Sequence, residues 1–267
     1  MKRATIFLIF ISISNLSAHE RLFTYSYDTD YLPAGLFEIE QWVTLKSGKE
    51  NGIYNAWDMR TEFEYAINPK THIALYLNYG ALYNQYYDTT LKSVITNQSF
   101  KFKGVDLALV HRFLSPRDKI GFGLYGEVKY RIYEYEFEER LLFSKYFLNN
   151  KILTTFNVIF EQVLENKINS FGKIETEKEA KLMIPLGIAY KFTNFSIGLE
   201  AWSHSEWKEQ LLPSSFNKAE HNAFFLGPVF HYSTSKFWVT FTITPQISSI
   251  LDEHEKLEAR MIFSVIF

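Results

Sequence analysis

Six charged side chains interrupt the apolar residues near the start of the chain: Glu38 and Glu40, then Asp58, Arg60, Glu62 and Glu64. Each alternates with apolar neighbours at a period of two. That is the period of a β-strand, whose successive side chains point to opposite faces. The six therefore share one face, opposite Phe37, Ile39, Val43 and Leu45 on one segment and Trp57, Met59, Phe63 and Tyr65 on the next. A turn near Asn51 sets Glu40 opposite Glu62 and Glu38 opposite Glu64. Like charges directly opposite destabilise a sheet, so something must offset them. The sequence offers Arg112, Lys181 or Arg260 at the same parity, besides bound cations, water or raised carboxyl pKa values. Glu127, Lys129 and Arg131 continue this charged face further along. Such a wall suits an ion-paired interior or a site for a cation or small solute.

Other chemistry is sparsely signalled. The seven histidines are scattered and show no paired metal-ligand spacing. His204-Ser205 and His231-Tyr232-Ser233 are the only close His and Ser neighbours. Trp202 and Trp207 could stack on a carbohydrate. Gly121, Gly123 and Gly126 sit within a strand pattern, where small residues fit a crowded interior better than a phosphate loop. The absence of cysteine excludes disulfides and thiolate chemistry. No catalytic residue, cofactor or metal site is expected. A formal net charge of -2 gives no basic excess for nucleic acid.

The elements that position these groups are strands. Aromatic residues make up 18% of the chain and hydrophobic ones 47%, yet apolar residues are interleaved singly with polar ones. An all-β, single antiparallel transmembrane barrel of about twelve strands requires that pattern, with lipid outside and water inside. Short links fall at Asn68–Lys70, Ser115–Lys119, Asn149–Lys151, Thr193–Asn194 and Ser233–Lys236. Longer ones fall at Ser47–Tyr54, Leu82–Ser99, Ile132–Glu138, Glu165–Glu175, Ser205–Glu220 and Ser248–Lys256. Strict alternation of short and long links matches periplasmic turns and outside loops. Pro185, Pro228 and Pro245 fall within strand patterns and imply bulges or strand ends. Strand ten, from about Asn222 to Tyr232, has an ambiguous outer face.

Three regions follow. Residues 1–18 read as a signal peptide: Lys2 and Arg3, an apolar run from Ala4 to Ile13, and a small-residue exit ending at Ala18. Residues 19–36 have no clear period and lie in the periplasm or plug the lumen. Residues 37–267 form the barrel.

The C-terminal strand, with Met261, Phe263, Val265 and terminal Phe267 at one parity, resembles the assembly signal of Gram-negative outer-membrane barrels. That resemblance implies the barrel-assembly machinery and outer-membrane lipids as partners. The first third also resembles an uncharacterised family of outer-membrane proteins. The match runs through Tyr25-Ser26-Tyr27-Asp28-Thr29-Asp30, Leu32-Pro33-Ala34-Gly35, Glu38-Ile39-Glu40-Gln41-Trp42 and Asp58-Met59-Arg60-Thr61-Glu62-Phe63-Glu64-Tyr65. It implies location and fold and lends no catalytic residue. Two functional readings stand: a passive channel for small solutes, cationic ones if the acidic wall governs, or a closed structural or surface-interaction barrel. A lipid-modifying outer-membrane enzyme is a distant third.

Overall fold

The protein is described by a computed structural model over residues 20–117, 119–168, 172–213, 215 and 219–267. The expected signal peptide lies outside the described residues. Twelve strands follow in order: β1 (Phe37–Ser47), β2 (Ile53–Asn68), β3 (Thr71–Asp88), β4 (Ser93–Leu114), β5 (Gly121–Arg131) and β6 (Glu134–Phe147). They continue as β7 (Ile152–Ile168), β8 (Ile174–Lys191), β9 (Phe195–Lys208), β10 (His221–Ser233), β11 (Phe237–Pro245) and β12 (Leu257–Ile266). Each pairs antiparallel with its sequence neighbours, and β1 closes on β12 from Glu38↔Ile266 to Ser47↔Leu257. Closure leaves no unpaired edge, which a chain crossing hydrocarbon must avoid.

The outer face is apolar at the expected parity. Leu107, Leu109, Leu124, Val128, Leu186, Ile188, Met261 and Phe263 are all exposed on it. Strand β10 resolves the same way: Phe224, Leu226, Phe230 and Tyr232 point out, while Ala223, Phe225, Val229 and His231 point in. In water this belt would be a large aggregation surface. Lipid is the solvent it fits, and the protein belongs in the outer membrane.

The extracellular side differs from the loops expected there. Leu82 to Ser99 is not a loop, since β3 and β4 stay paired from Leu82↔Ser99 to Asp88↔Ser93. Strands β5 and β6 likewise pair through Arg131↔Glu134, and β7 and β8 through Ile168↔Ile174. Tyr83, Tyr86, Val94 and Ile95 explain the first case, because aromatic and β-branched residues favour the ladder even above the membrane. Residues 246–256 remain a long connection, and the described residues between β9 and β10 (209–213, 215 and 219–220) also lie outside the strands.

The three prolines sit where the ladder yields. Strands β7 and β8 pair at Phe156↔Leu186 and again at Ile159↔Met183, leaving Pro185 outside that ladder. The β10–β11 ladder stops at Val229↔Thr242, one residue before Pro228, and Pro245 ends β11. Above Pro228 the connection 246–256 takes over: Ile247 N–H donates to Phe224 O at 2.8 Å and Phe224 N–H to Ser248 Oγ at 3.0 Å.

Candidate functional site

Residues 20–30 run inside the barrel, and residues 31–36 return along its periplasmic rim. Every residue from Arg21 to Thr29 is buried. The segment enters at the periplasmic end, rises to mid-lumen at Tyr25, and returns to the periplasmic end before β1. Glu20 accepts from Ser233 at 2.8 Å and lies 3.5 Å from Lys191. Burial would raise the Glu20 pKa, but His231, Lys191 and Ser233 outweigh it and lower it to about 2. Its contribution is thus present above the ordinary carboxylate range and lost as pH falls towards about 2.

The wall is shaped to this segment. Glu200 on β9 accepts the successive backbone N–H groups of Thr24, Tyr25 and Ser26 at 3.0, 2.8 and 2.9 Å. Asn157 on β7 accepts from Tyr27 N–H at 2.6 Å and donates to Tyr27 O at 3.0 Å. Ser26 meets Thr155, and Thr29 meets Ser144, each with hydroxyl oxygens 2.7 Å apart. Asp30 accepts from Tyr146 at 2.7 Å and pairs with Arg117 at 3.0 Å. Apolar contacts match these bonds. Leu22 and Phe23 join Leu153 and Val229, Tyr25 joins Trp202 and Phe225, and Leu32 joins Ala66. Glycines supply clearance: a Cβ at Gly187 would fall 2.6 Å from the Phe23 ring, and one at Gly121 would collide with Thr29. Gly126, by contrast, faces outward with open space around it.

The acidic pairs have the register expected, Glu38↔Glu64 and Glu40↔Glu62, and all four carboxylates are buried. Their offset comes mainly from a residue the sequence did not single out. Arg21 lies 3.3 Å from Glu40 and 3.1 Å from both Glu62 and Glu64, and its guanidinium stacks 4.2 Å from the Tyr27 ring. Arg112 bonds His72, which sits 3.7 Å from Glu64, so it stands behind Arg21. Lys181 and Arg260 do not join it. Lys181 pairs with Glu179 at 2.8 Å, and Arg260 donates to Thr44 at 2.8 Å and to Thr24 O at 3.1 Å.

The remaining charges line the extracellular half. Arg60 bridges Asp106 and Glu127 at 2.8 and 3.0 Å, and Arg131 pairs with Asp106. Lys129 contacts Glu136, Glu138 and Glu161, while Asp58 holds Lys46 and Lys103. All of these groups except Asp106 and Glu127 line a vestibule of about 730 Å³ whose floor is Thr24 and Tyr25. Nine basic and six acidic side chains line it. Exposure does not separate the two signs: Lys46, Lys103 and Lys181 side chains are 32, 35 and 26% exposed and Asp58 and Glu165 are 35 and 41%, while Lys129 is 9% and Glu138 2%.

Other candidates change meaning. Trp202 is buried, stacked between Tyr25 at 4.9 Å and Phe225 at 3.9 Å, so it offers no carbohydrate platform. Trp207 is also buried. His204 bonds His254 at 3.0 Å while Ser205 donates to Asn222, and His231 bonds Thr240 at 2.7 Å while Ser233 donates to Glu20. Neither His and Ser neighbour pair makes the contact a nucleophile and base would need. Spacing along the chain shows no metal pair, yet folding brings His204, His221 and His254 together from three elements.

Comparison with solved structures places the fold among outer-membrane barrels. The COG4313 outer membrane channel from Pseudomonas putida F1 superposes with a TM-score of 0.55 at 9% identity, covering 91% of this chain and 100% of that one. The NanC porin superposes with a TM-score of 0.50 at 10% identity, covering 86% and 98%. No curated protein matches the sequence. Residues 15–261 match the group described as "Family of unknown function (DUF6662)", and the chain belongs to that family.

Proposed function

We propose that the protein is an outer-membrane channel for small anionic or zwitterionic solutes, held closed in this state by residues 20–36. The observation that carries this reading is the contrast between the two halves of the lumen. Below Tyr25 the inward side chains Trp238, Thr240, Ile262, Ala66, Leu142 and Leu153 are buried against the segment. Above it lies a polar vestibule of about 730 Å³. Transport requires the segment to shift, and it is bound by replaceable hydrogen bonds rather than by the barrel ladder. The likeness in fold to a protein described as an outer-membrane channel and to a porin supports the same reading.

A preference for cations would follow if passing ions met the four carboxylates of β1 and β2. Here Arg21 and the segment cover them, and solutes first meet a vestibule lined by nine basic and six acidic side chains. Field focusing in a low-dielectric lumen then favours anions.

Planar-bilayer recordings of the refolded, untagged protein test this. Mostly closed traces with openings that prefer chloride to potassium are expected. The preference should weaken at 1 M salt, where the Debye length is about 3 Å. The Ser26→Cys/Thr155→Cys pair replaces hydroxyls 2.7 Å apart in a chain with no other cysteine. Its oxidation should abolish the openings, and reduction should restore them. Cation-preferring conductance indifferent to the oxidised pair would overturn this reading. A folded barrel with no conductance in any state would favour the closed interaction barrel.

We further propose that the last strand is the handle for the barrel-assembly machinery. Phe267 N–H donates to Phe37 O at 2.9 Å at the closing seam, and its ring lies 5.9 Å from Phe37. Deleting Phe267 should lower the folded, heat-modifiable protein in the outer membrane at least fivefold. Unchanged assembly would refute this assignment.

A further inference from the structure

Three imidazoles converge at the extracellular mouth from separate elements: His204 on β9, His221 on β10, and His254 in the connection 246–256. One ring nitrogen from each lies within 4.8 Å of the other two. The ring centres are 4.8 Å apart for His204 and His254, 4.8 Å for His221 and His254, and 5.9 Å for His204 and His221. Tetrahedral zinc with Zn–N bonds of about 2.0–2.1 Å holds its nitrogens about 3.3 Å apart. The trio therefore needs only small side-chain rotations to reach that geometry.

A second observation distinguishes it from a chance cluster. The His221 side chain is 6% exposed, and neither of its ring nitrogens has a hydrogen-bond partner. Buried polar atoms are normally satisfied, and an orphan needs an explanation. The other two imidazoles lie beside it, and the Glu206 carboxylate lies 3.7 Å from Nε2, too far for a hydrogen bond. A metal ion would take up the lone pair that nothing else uses.

The third ligand is held in place. Gln246 braces the connection by donating to Ile250 O at 3.2 Å and Glu255 O at 3.0 Å. His254 N–H donates to Ile250 O at 3.1 Å, and Lys256 N–H to Gly48 O at 2.8 Å. Such a loop brings a preformed ligand and loses little entropy on binding. His204 also lines the vestibule, which gives an ion a route in from outside.

We propose that His204, His221 and His254 form a binding site for a divalent transition-metal ion of the zinc class, with Glu206 as the adjacent carboxylate. Three neutral nitrogen donors suit zinc, nickel and copper and disfavour magnesium and calcium. The fourth position falls to water or to Glu206. An ion there would clip the 246–256 connection to β9 and β10 where the β10–β11 ladder has ended. This inference does not depend on the channel reading.

Calorimetric titration of the refolded, untagged full barrel with zinc chloride tests it, alongside cobalt chloride followed by absorption. Expected are one zinc per barrel, displacement by nickel but not magnesium, and a cobalt spectrum of a tetrahedral, thiolate-free site. His221→Ala and His254→Ala should each weaken zinc at least tenfold, while His111→Ala, on another part of the wall, should not. Heat-modifiable migration verifies that each variant is folded. His254 lies in a connection, so its replacement leaves strand pairing intact. Lack of a one-to-one isotherm in the wild-type protein, or an affinity unchanged by either replacement, would overturn the site.

Discussion

Replacing Arg21 with alanine is expected to raise the open probability of the barrel by about two to three orders of magnitude. Arg21 is 3% exposed and reaches three carboxylates that are themselves buried, Glu40, Glu62 and Glu64. Removing one partner of a buried ion pair costs about 3–5 kcal/mol, because the remaining charge is left uncompensated. Each 1.4 kcal/mol is about a factor of ten in an equilibrium. The cost here falls on the docked arrangement of residues 20–36. With the segment displaced, water and counterions can reach the carboxylates, so the undocked arrangement is spared most of it. The barrel ladder is untouched, and heat-modifiable migration should stay that of a folded barrel. Bilayer recordings should show sustained conductance in Arg21→Ala. Adding the oxidised Ser26→Cys/Thr155→Cys pair to the same chain should close it again. Arg21→Ala traces as silent as those of the wild type would show that the segment does not gate the lumen. Arg21→Lys keeps the charge but loses the fork that spans three carboxylates, so an intermediate open probability is expected.

How much of this was legible in the sequence differs by kind of residue. The barrel wall was legible because period two is strictly local: Glu38 and Glu40 against Glu62 and Glu64 need only two strands and one turn, and the structure has that register. The apolar outer face follows from the same parity. Loop boundaries were less legible, since the polar and aromatic stretch 82–99 reads as a link although it pairs to Asp88↔Ser93. Arg21 was not legible as the offset for the acidic pairs. Its segment has no period, and its partners lie 19 to 43 residues away across the lumen. The resemblance in Tyr25–Asp30 and Leu32–Gly35 now has a physical content. Ser26, Tyr27, Thr29 and Asp30 each bond to the wall, and Leu32 packs at its periplasmic rim. The histidine trio was hidden for a similar reason, since metal-ligand spacing is a local signal and these ligands come from two strands and a loop. Glu200 was hidden differently. It is a single acid at the inward parity between apolar residues of β9, and only the fold reveals that three backbone N–H groups end on it.

That carboxylate supports the second large effect. Glu200→Ala should undock the middle of the segment while leaving the barrel formed. The Glu200 side chain is fully buried and accepts from the backbones of Thr24, Tyr25 and Ser26, and from the hydroxyls of Thr24 and Thr242 at 3.1 Å each. An unsatisfied buried donor costs about 1–3 kcal/mol, and alanine leaves three backbone donors facing an emptied space. Water entering that space recovers part of the loss, so a net cost on the order of 3 kcal/mol falls on docking. Hydrogen exchange reads this directly, because amides exchange through the least costly opening available to them. The amides of Thr24, Tyr25 and Ser26 should exchange about a hundredfold faster in Glu200→Ala, while those of β1 and β12 at the closing seam keep their protection. Glu200→Gln separates charge from shape. It retains one acceptor oxygen but aims an NH2 group at backbone donors, so its amides should also exchange faster than in the wild type. Exchange at Thr24–Ser26 unchanged in Glu200→Ala would mean that the packing of Phe23, Tyr25 and Tyr27 alone holds the segment. Loss of protection across β1 and β12 as well would mean that the segment and the barrel unfold as one unit, and that a closed lumen cannot open without dismantling the wall.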